Sequence, residues 1–530
     1  MKWTELFRRK SVSQIIEDEA ANTSHSLSKV LTARDIFVAG LAAIIGTGIF
    51  ILTGTAAHDF AGPSVILSFI LAGMACAIVA FSYAEISSMI PISGSAYTYA
   101  YATMGELIAW MIGWDLVLEY AVGASCVAVG WSGYLQSLMA AAGYTLPVYL
   151  SKAPAHVPWD NVILAVGGII FGIVFLAGYF SRNAAGRKPS RFPPAVQLWG
   201  GLAMAAFGLF EGVQVIRHLT SIDLLAVGIV ALLSLWLMRG VKETMRMTTV
   251  FVAIKLVVIA IFIALGIWHI NVANLHPFMP MGWQGMMTGA AVVFFAYIGF
   301  DGVTTLAEEC KDPQSDLPKG IIGSLVVSTV LYVVVAAICV GAVSYTVLGG
   351  TGEAAPLAKV LSLIGDQWAV PLISAGALAG LTSVLLVSIL AQSRLFTRMA
   401  KDGLMPAVFS TINPKYGTPR LSIAICAIVI AVAAGLLSVS ELAILTNIGT
   451  LSAFVLVCIG VIVLRKTEPD RPRKFRCPGS PWVPALGALA SFALMCCLPG
   501  ITWIRFAVWM VIGLVIYFCY GRRNSKLSKD

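Results

Sequence analysis

Apolar residues run along this chain in long blocks separated by short polar stretches. Fourteen blocks can be traced, at 36–60, 63–89, 106–138, 161–180, 195–215, 222–239, 247–269, 287–309, 320–345, 370–397, 421–438, 442–464, 482–499 and 503–520. Each is near the length of about 20 residues that an α-helix needs to cross a hydrocarbon layer about 30 Å thick. Polar residues do not alternate with apolar ones inside the blocks, as they would along the strands of a membrane barrel. In lipid every backbone N–H and C=O must be satisfied within the protein, which leaves helices. The pattern therefore predicts an all-α polytopic membrane protein. Two smaller features stand outside the blocks: residues 346–368 read as a short amphipathic external helix, and 399–419 as a cytoplasmic loop.

Charge fixes the orientation. With the N-terminus in the cytoplasm and strict alternation, all of the 35 Lys and Arg residues except Lys152, Arg217, Lys255, Lys359 and Arg505 fall on the cytoplasmic side. This is the positive-inside bias. It places both termini in the cytoplasm of a cell whose inner (plasma) membrane holds the chain. Residues 1–34 are then an N-terminal tail, 35–520 the membrane domain and 521–530 a C-terminal tail. The net charge of +9 belongs to these cytoplasmic anchors and not to a nucleic-acid surface. No short apolar segment with a cleavage site opens the chain, so no removed signal peptide is expected. The sequon Asn22-Thr23-Ser24 lies in the cytoplasmic tail and is read as chance. Eight of the ten cysteines fall inside blocks without metal-ligand spacing, so they read as packing residues, and no cofactor is expected.

The segment 155–220 holds two apolar stretches around a loop with four basic residues. Two added spans keep the orientation of everything after them, whereas one would invert it. The second stretch carries Gln197 and Glu211, which leaves a re-entrant or interfacial hairpin as the alternative.

Two blocks carry breaks. The first reads Gly40 to Phe50, with Gly46 and Gly48 flanking the β-branched Thr47. Glycine weakens a helix by roughly 1 kcal/mol against alanine. The block after 287 contains Tyr297-Ile298-Gly299-Phe300-Asp301-Gly302, again a glycine-marked break, here followed by an acid. Unwound backbone at membrane depth survives where it lines a cavity. It offers N–H groups at one half-helix start and carbonyls at the other half-helix end. A carboxylate suits the first and an ammonium the second, so a zwitterion fits both. Paired interruptions in corresponding halves of a chain point to a transporter site. The competing reading is close helix packing through small residues.

At these positions the chain resembles the amino acid–polyamine–organocation superfamily, and within it the cationic amino acid transporter family and its bacterial relatives. The resemblance rests on an ordered set of motifs. They are Ile45 to Phe50; Ser82-Tyr83-Ala84-Glu85 with Pro91 to Tyr97; Phe294 to Asp301 continuing through Glu308-Glu309 to Pro318; Ser393-Arg394 to Leu404; and Asn447 to Leu451. They cover about 36–140 and 222–520. The resemblance implies a twelve-span core whose spans one to five and six to ten are inverted repeats, with the first and sixth helices broken. Residues 155–220 would then be a two-span insertion between core spans three and four. It also implies that Ile44, Thr47 and Gly48, beside Ile45 and Gly46, meet the substrate carboxylate. Phe295, Ala296 and Ile298, around Tyr297, would supply carbonyls to the amine. Phe295 would lid the substrate and Asp301 would gate it.

Lys255 lies inside core span five, roughly 12 Å deep at 1.5 Å per residue. An ammonium at that depth costs several kcal/mol, so such a lysine is suited to load and release a proton. The resemblance implies the same, with Lys255 joining backbone near Gly46 to core span eight near Thr382 and Ser383. Proton coupling, a fixed charge in an exchanger, and a lysine reaching back to the interface are the readings available. Glu85, near a cytoplasmic helix end, would gate with a basic partner. Glu106 and Glu119 read as helix-end or packing residues, and Cys126 as reaching the pocket from core span three. His58, His156, His218, His269 and His276 fall at external ends. The scattered histidines argue against a membrane enzyme, and the lack of symmetric pore loops argues against a channel. A non-transporting sensor stays open. The expected function is amino acid transport by alternating access, with an amino acid and a proton as partners in the bilayer. Neutral or broad cargo is favoured over cationic, and there is room for a small membrane subunit that the sequence does not specify.

Overall fold

A computed structural model describes residues 8–9, 31–90, 95–154, 193–218, 221–239, 244–304, 310–349, 355–413 and 418–528, with scattered positions between 164 and 179. Most of the N-terminal tail, the loop at 181–192, Pro91 to Gly94 and Glu308-Glu309 lie outside the described residues. Among these residues the chain is helical. Its only extended pairings are isolated bridges, Leu31 with Cys310 and Asn413 with Thr418.

The helices in chain order are α1 (Ala33–Ile44), α2 (Val65–Met89), α3 (Ser95–Thr103), α4 (Glu106–Ala141), α5 (Pro194–His218), α6 (Leu224–Leu237), α7 (Thr244–Gly266), α8 (Gly282–Val293), α9 (Pro313–Ala342), α10 (Pro356–Ile364), α11 (Ala369–Lys401), α12 (Arg420–Leu436), α13 (Val439–Thr467), α14 (Trp482–Cys496) and α15 (Gly500–Ile516). Each apolar block holds a helix, and the described positions between 164 and 179 are helical too. The addition is α3, nine residues rich in tyrosine and alanine, too short to span and absent from the sequence reading.

The outer faces are apolar, with Leu232, Leu235, Val257, Ile428, Leu489 and Ile504 among the exposed side chains. In water such a surface would aggregate; against lipid it is solvated. The polar residues turn inward instead, and this is an integral membrane protein. At the centre, α4 is buried along most of its length and packs on α11 and α13. Beside it α9 packs along α1 through small residues: Gly320 sits against Ile36, and Ser324 against Gly40. Close backbone approach of this kind is how helices associate where lipid removes the hydrophobic drive.

The two chain ends meet. Arg8 accepts from the Glu106 N–H through its carbonyl and donates from Nη1 to the Leu527 carbonyl at 3.0 Å. Helix α5 leans on its own hairpin partner, with Gly208 facing Gly168 and Ala205 facing Gly172. The short helix α10 buries Leu357, Val360 and Leu361, with Pro356 seated on Gly54.

Candidate functional site

Helix α1 stops at Ile44. Ile45 is extended (φ −76°, ψ 98°), Thr47 returns to helical angles, and a wide turn over Gly48–Leu52 leads into Thr53–Ala56 and Ala57–Ala61. The second break is built differently. Helix α8 tightens into a four-residue 3-10 turn over Phe294–Tyr297, and Ile298 is extended (φ −60°, ψ 138°). Gly299 then has φ 118°, a backbone state that glycine tolerates and side-chain-bearing residues rarely adopt. The two breaks touch. A Cβ on Gly48 would run into Ala296, and one on Gly299 would come within 2.9 Å of the Ala43 carbonyl.

Three side chains from other helices satisfy the backbone at these breaks. Lys255 on α7 is fully buried and donates from Nζ to the carbonyls of Ala42 (2.8 Å) and Ile45 (2.6 Å). The Nζ thus sits at the negative end of the first half-helix. Tyr332 on α9 brings its hydroxyl to 2.7 Å from the Ile44 carbonyl and 2.8 Å from the Ala296 carbonyl. One hydroxyl proton serves two acceptors, one at each break. Asn447 on α13 donates both amide protons, to Ala291 (2.7 Å) and Val292 (2.9 Å), just where α8 tightens. Sequence reading missed Tyr332, because a tyrosine in a packed helix looks like core. It placed Asn447 in a motif without giving it a role.

The other expected residues fall as follows. Thr47 is buried with an unpartnered hydroxyl, and Asn447 Oδ1 and Ser328 Oγ are likewise buried without partners. Gly46 faces Val384 on α11. The Phe295 carbonyl accepts from Ile298 N–H at 3.2 Å. Tyr297 turns away and donates to Phe69 at 2.7 Å. Asp301 Oδ1 accepts from the Gly299 N–H at 3.2 Å, closing the second break on itself. Lys255 meets α11 through Gly380. Thr382 and Ser383 give their hydroxyl protons to Leu378 and Gly380 carbonyls at 2.7 Å each, and Trp131 Nε1 donates to Thr382. The Cys126 thiol is directed to the Val439 carbonyl at 3.6 Å, at the start of α13.

Glu85 is fully buried at the end of α2. It accepts from Arg465 Nε (2.9 Å) and Nη2 (2.6 Å) and from the Cys477 N–H (2.8 Å). Arg473 Nε lies 3.4 Å away. Glu106 is a helix-end acid, in the first turn of α4, accepting from Tyr517 Oη at 2.9 Å. Glu119 is not. It sits in mid-helix, buried, with Oε1 unpartnered and Asp301 as its strongest charged neighbour. One turn before it, buried Asp115 is bonded to Ser452 Oγ. Spacing on α4 puts both carboxyls on the face toward α13, and Asp301 is the acid that acts most strongly on Glu119.

Two facing helix interruptions with donors and acceptors held at membrane depth describe a carrier of small polar cargo. Residues 31–518 match the amino acid permease family. The chain belongs to the amino acid permeases. It is 41% identical over 524 residues to the branched-chain amino acid permease BcaP of Bacillus subtilis (strain 168), covering 99% of each chain. It is 40% identical to the methylthioribose transporter of the same strain, with the same coverage. Against the vacuolar cationic amino acid transporter 4 of Arabidopsis thaliana it is 34% identical over 468 residues, 88% of this permease and 68% of the plant protein. The permease is accordingly an amino acid transporter and not an enzyme.

Proposed function

We propose that this permease takes up a neutral aliphatic amino acid by proton-coupled alternating access. The observation that carries the coupling is the Lys255 ammonium on the Ala42 and Ile45 carbonyls. Charged, it makes charge-assisted bonds roughly twice as strong as neutral ones and opposes the half-helix dipole. Neutral, it keeps donors but loses that attraction, so the end of α1 loosens. Proton release by Lys255 is thereby linked to movement of the first break, with Thr382 and Ser383 on the facing wall.

The cargo's carboxylate would take the N–H groups around Gly46, Thr47 and Gly48, with the unpartnered Thr47 hydroxyl beside them. Its ammonium would take the Ile44 and Ala296 carbonyls, next to Ile45 and Ile298, sharing them with Tyr332. Phe295 would lid the site and Asp301 would gate the second break. Glu85 with Arg465 and Arg473 would hold the cytoplasmic side. In this reading the broken α1, α2, α4, α6 and α7 form one repeat, and the broken α8, α9, α11, α12 and α13 form its inverted copy. The hairpin at 155–220 is an insertion, and both termini face the cytoplasm of the plasma membrane. A neutral aliphatic cargo agrees with the BcaP likeness.

The test is uptake of labelled leucine, alanine and lysine into proteoliposomes with and without an inward proton gradient. Leucine uptake that rises with the gradient in wild type, and ignores it in Lys255→Ala, is the expected result. Wild-type uptake indifferent to the gradient overturns coupling and favours an exchanger with Lys255 as a fixed charge. The likeness to a methylthioribose transporter supports a second reading. Methylthioribose has neither carboxylate nor ammonium, so its uptake in place of leucine would overturn the zwitterion site.

A further inference from the structure

Three glycines of α4 face neighbouring elements, and they are not alike. A Cβ on Gly113 would press on Met399 and Tyr97 at 2.9 Å, and one on Gly130 would collide with Ile51. Both are filled by packing. Gly123 is not. Its Cβ would meet Thr446 Cγ2 at 3.6 Å and Phe295 Cε2 at 4.0 Å, and nothing closer. Gly123 also keeps accessible surface, whereas Ala121, Val122 and residues 124–130 are buried. In the uptake reading proposed above Phe295 borders the cargo, which puts Gly123 beside it; the atoms nearest a Cβ there are carbon. The Thr446 hydroxyl is spent on the Leu442 carbonyl at 2.9 Å, which leaves the methyl group on the open side.

We propose that Gly123 sets the size of the permease's side-chain pocket, the aliphatic side chain of the cargo lying between Gly123, the Thr446 methyl and the Phe295 ring. This rests on the amino acid uptake proposed above and deepens it. The two side-chain atoms nearest a Cβ at Gly123 are both carbon, which rewards hydrocarbon there, and the missing Cβ gives the branched end its room.

Gly123→Ala tests this without threatening the fold, since the new methyl makes only ordinary contacts and alanine favours helix over glycine. One methylene in an apolar pocket changes discrimination by roughly 10-fold to 200-fold. The ratio of kcat/KM for labelled leucine over labelled alanine is expected to fall roughly tenfold in Gly123→Ala. Thr446→Ser removes the facing methyl and keeps the hydroxyl, so it should raise the same ratio. Ratios equal to wild type in both variants overturn the proposal. Wild-type protein that takes up neither amino acid fails the uptake reading instead, so the two failures are distinguishable.

Discussion

Tyr332 and Lys255 divide the work at the breaks. Lys255 was legible in the sequence, because a lone charge inside an apolar run must have a reason to be there. Tyr332 was not, because its role lies in where α9 crosses the breaks, and that is tertiary. Tyr332→Phe keeps the ring contacts with Tyr297 and Phe69 and deletes the hydroxyl that joins α9 to both breaks. A lost buried hydrogen bond costs about 1–3 kcal/mol. Thermal or denaturant unfolding should show a loss of that size, and leucine uptake should suffer a higher KM, since the Ile44 and Ala296 carbonyls lose their alignment. Gly48→Ala is expected to abolish leucine binding measured by ligand-induced thermal shift, because the added Cβ meets Ala296. Which of the two readings, helix end or packing, suits Glu119 was likewise not legible. Position within a block does not say which face a side chain takes.

Among the elements, both breaks were legible as glycine clusters with β-branched neighbours, but their different construction was not. The first is an extended residue followed by a wide turn, and the second a tightened turn capped from α13 by Asn447. The cap matters because a tightened helix frees carbonyls that need donors. At the end of α2, Glu85 is a hub for Arg465, Arg473 and the Cys477 N–H. Glu85→Gln should lower unfolding free energy by about 2 kcal/mol or more, the scale of hydrogen bonds to charged groups. Combined with Arg465→Gln the loss should be less than additive, read from a double-mutant cycle. Helix α3 escaped the sequence reading, since nine residues of tyrosine and alanine carry neither the length nor the apolarity of a span.

At the scale of the whole molecule, composition and the basic residues carried most of the argument. They predicted the order of helices; among the described residues nine helices are long and apolar enough to cross a membrane, and three shorter apolar ones accompany them. The hairpin at 155–220 stands apart, because α5 packs on 165–176 through glycine and alanine. Excising residues 156–218 as a pair should leave leucine uptake measurable in proteoliposomes. Excising α5 alone should abolish it, since a single lost span inverts every helix that follows.

The seat of Gly48 on Ala296 carries a consequence for the membrane around the protein. A bilayer that holds a voltage loses about 2.3 kcal/mol per elementary charge for every 100 mV it lets leak. Where Gly48 lies on Ala296 the two interruptions meet backbone to backbone, with no side chain on Gly48 between them to leave a gap. Insulation here is made by the shortest side chain available rather than by a bulky plug, and every larger residue at position 48 is a leak or a jam.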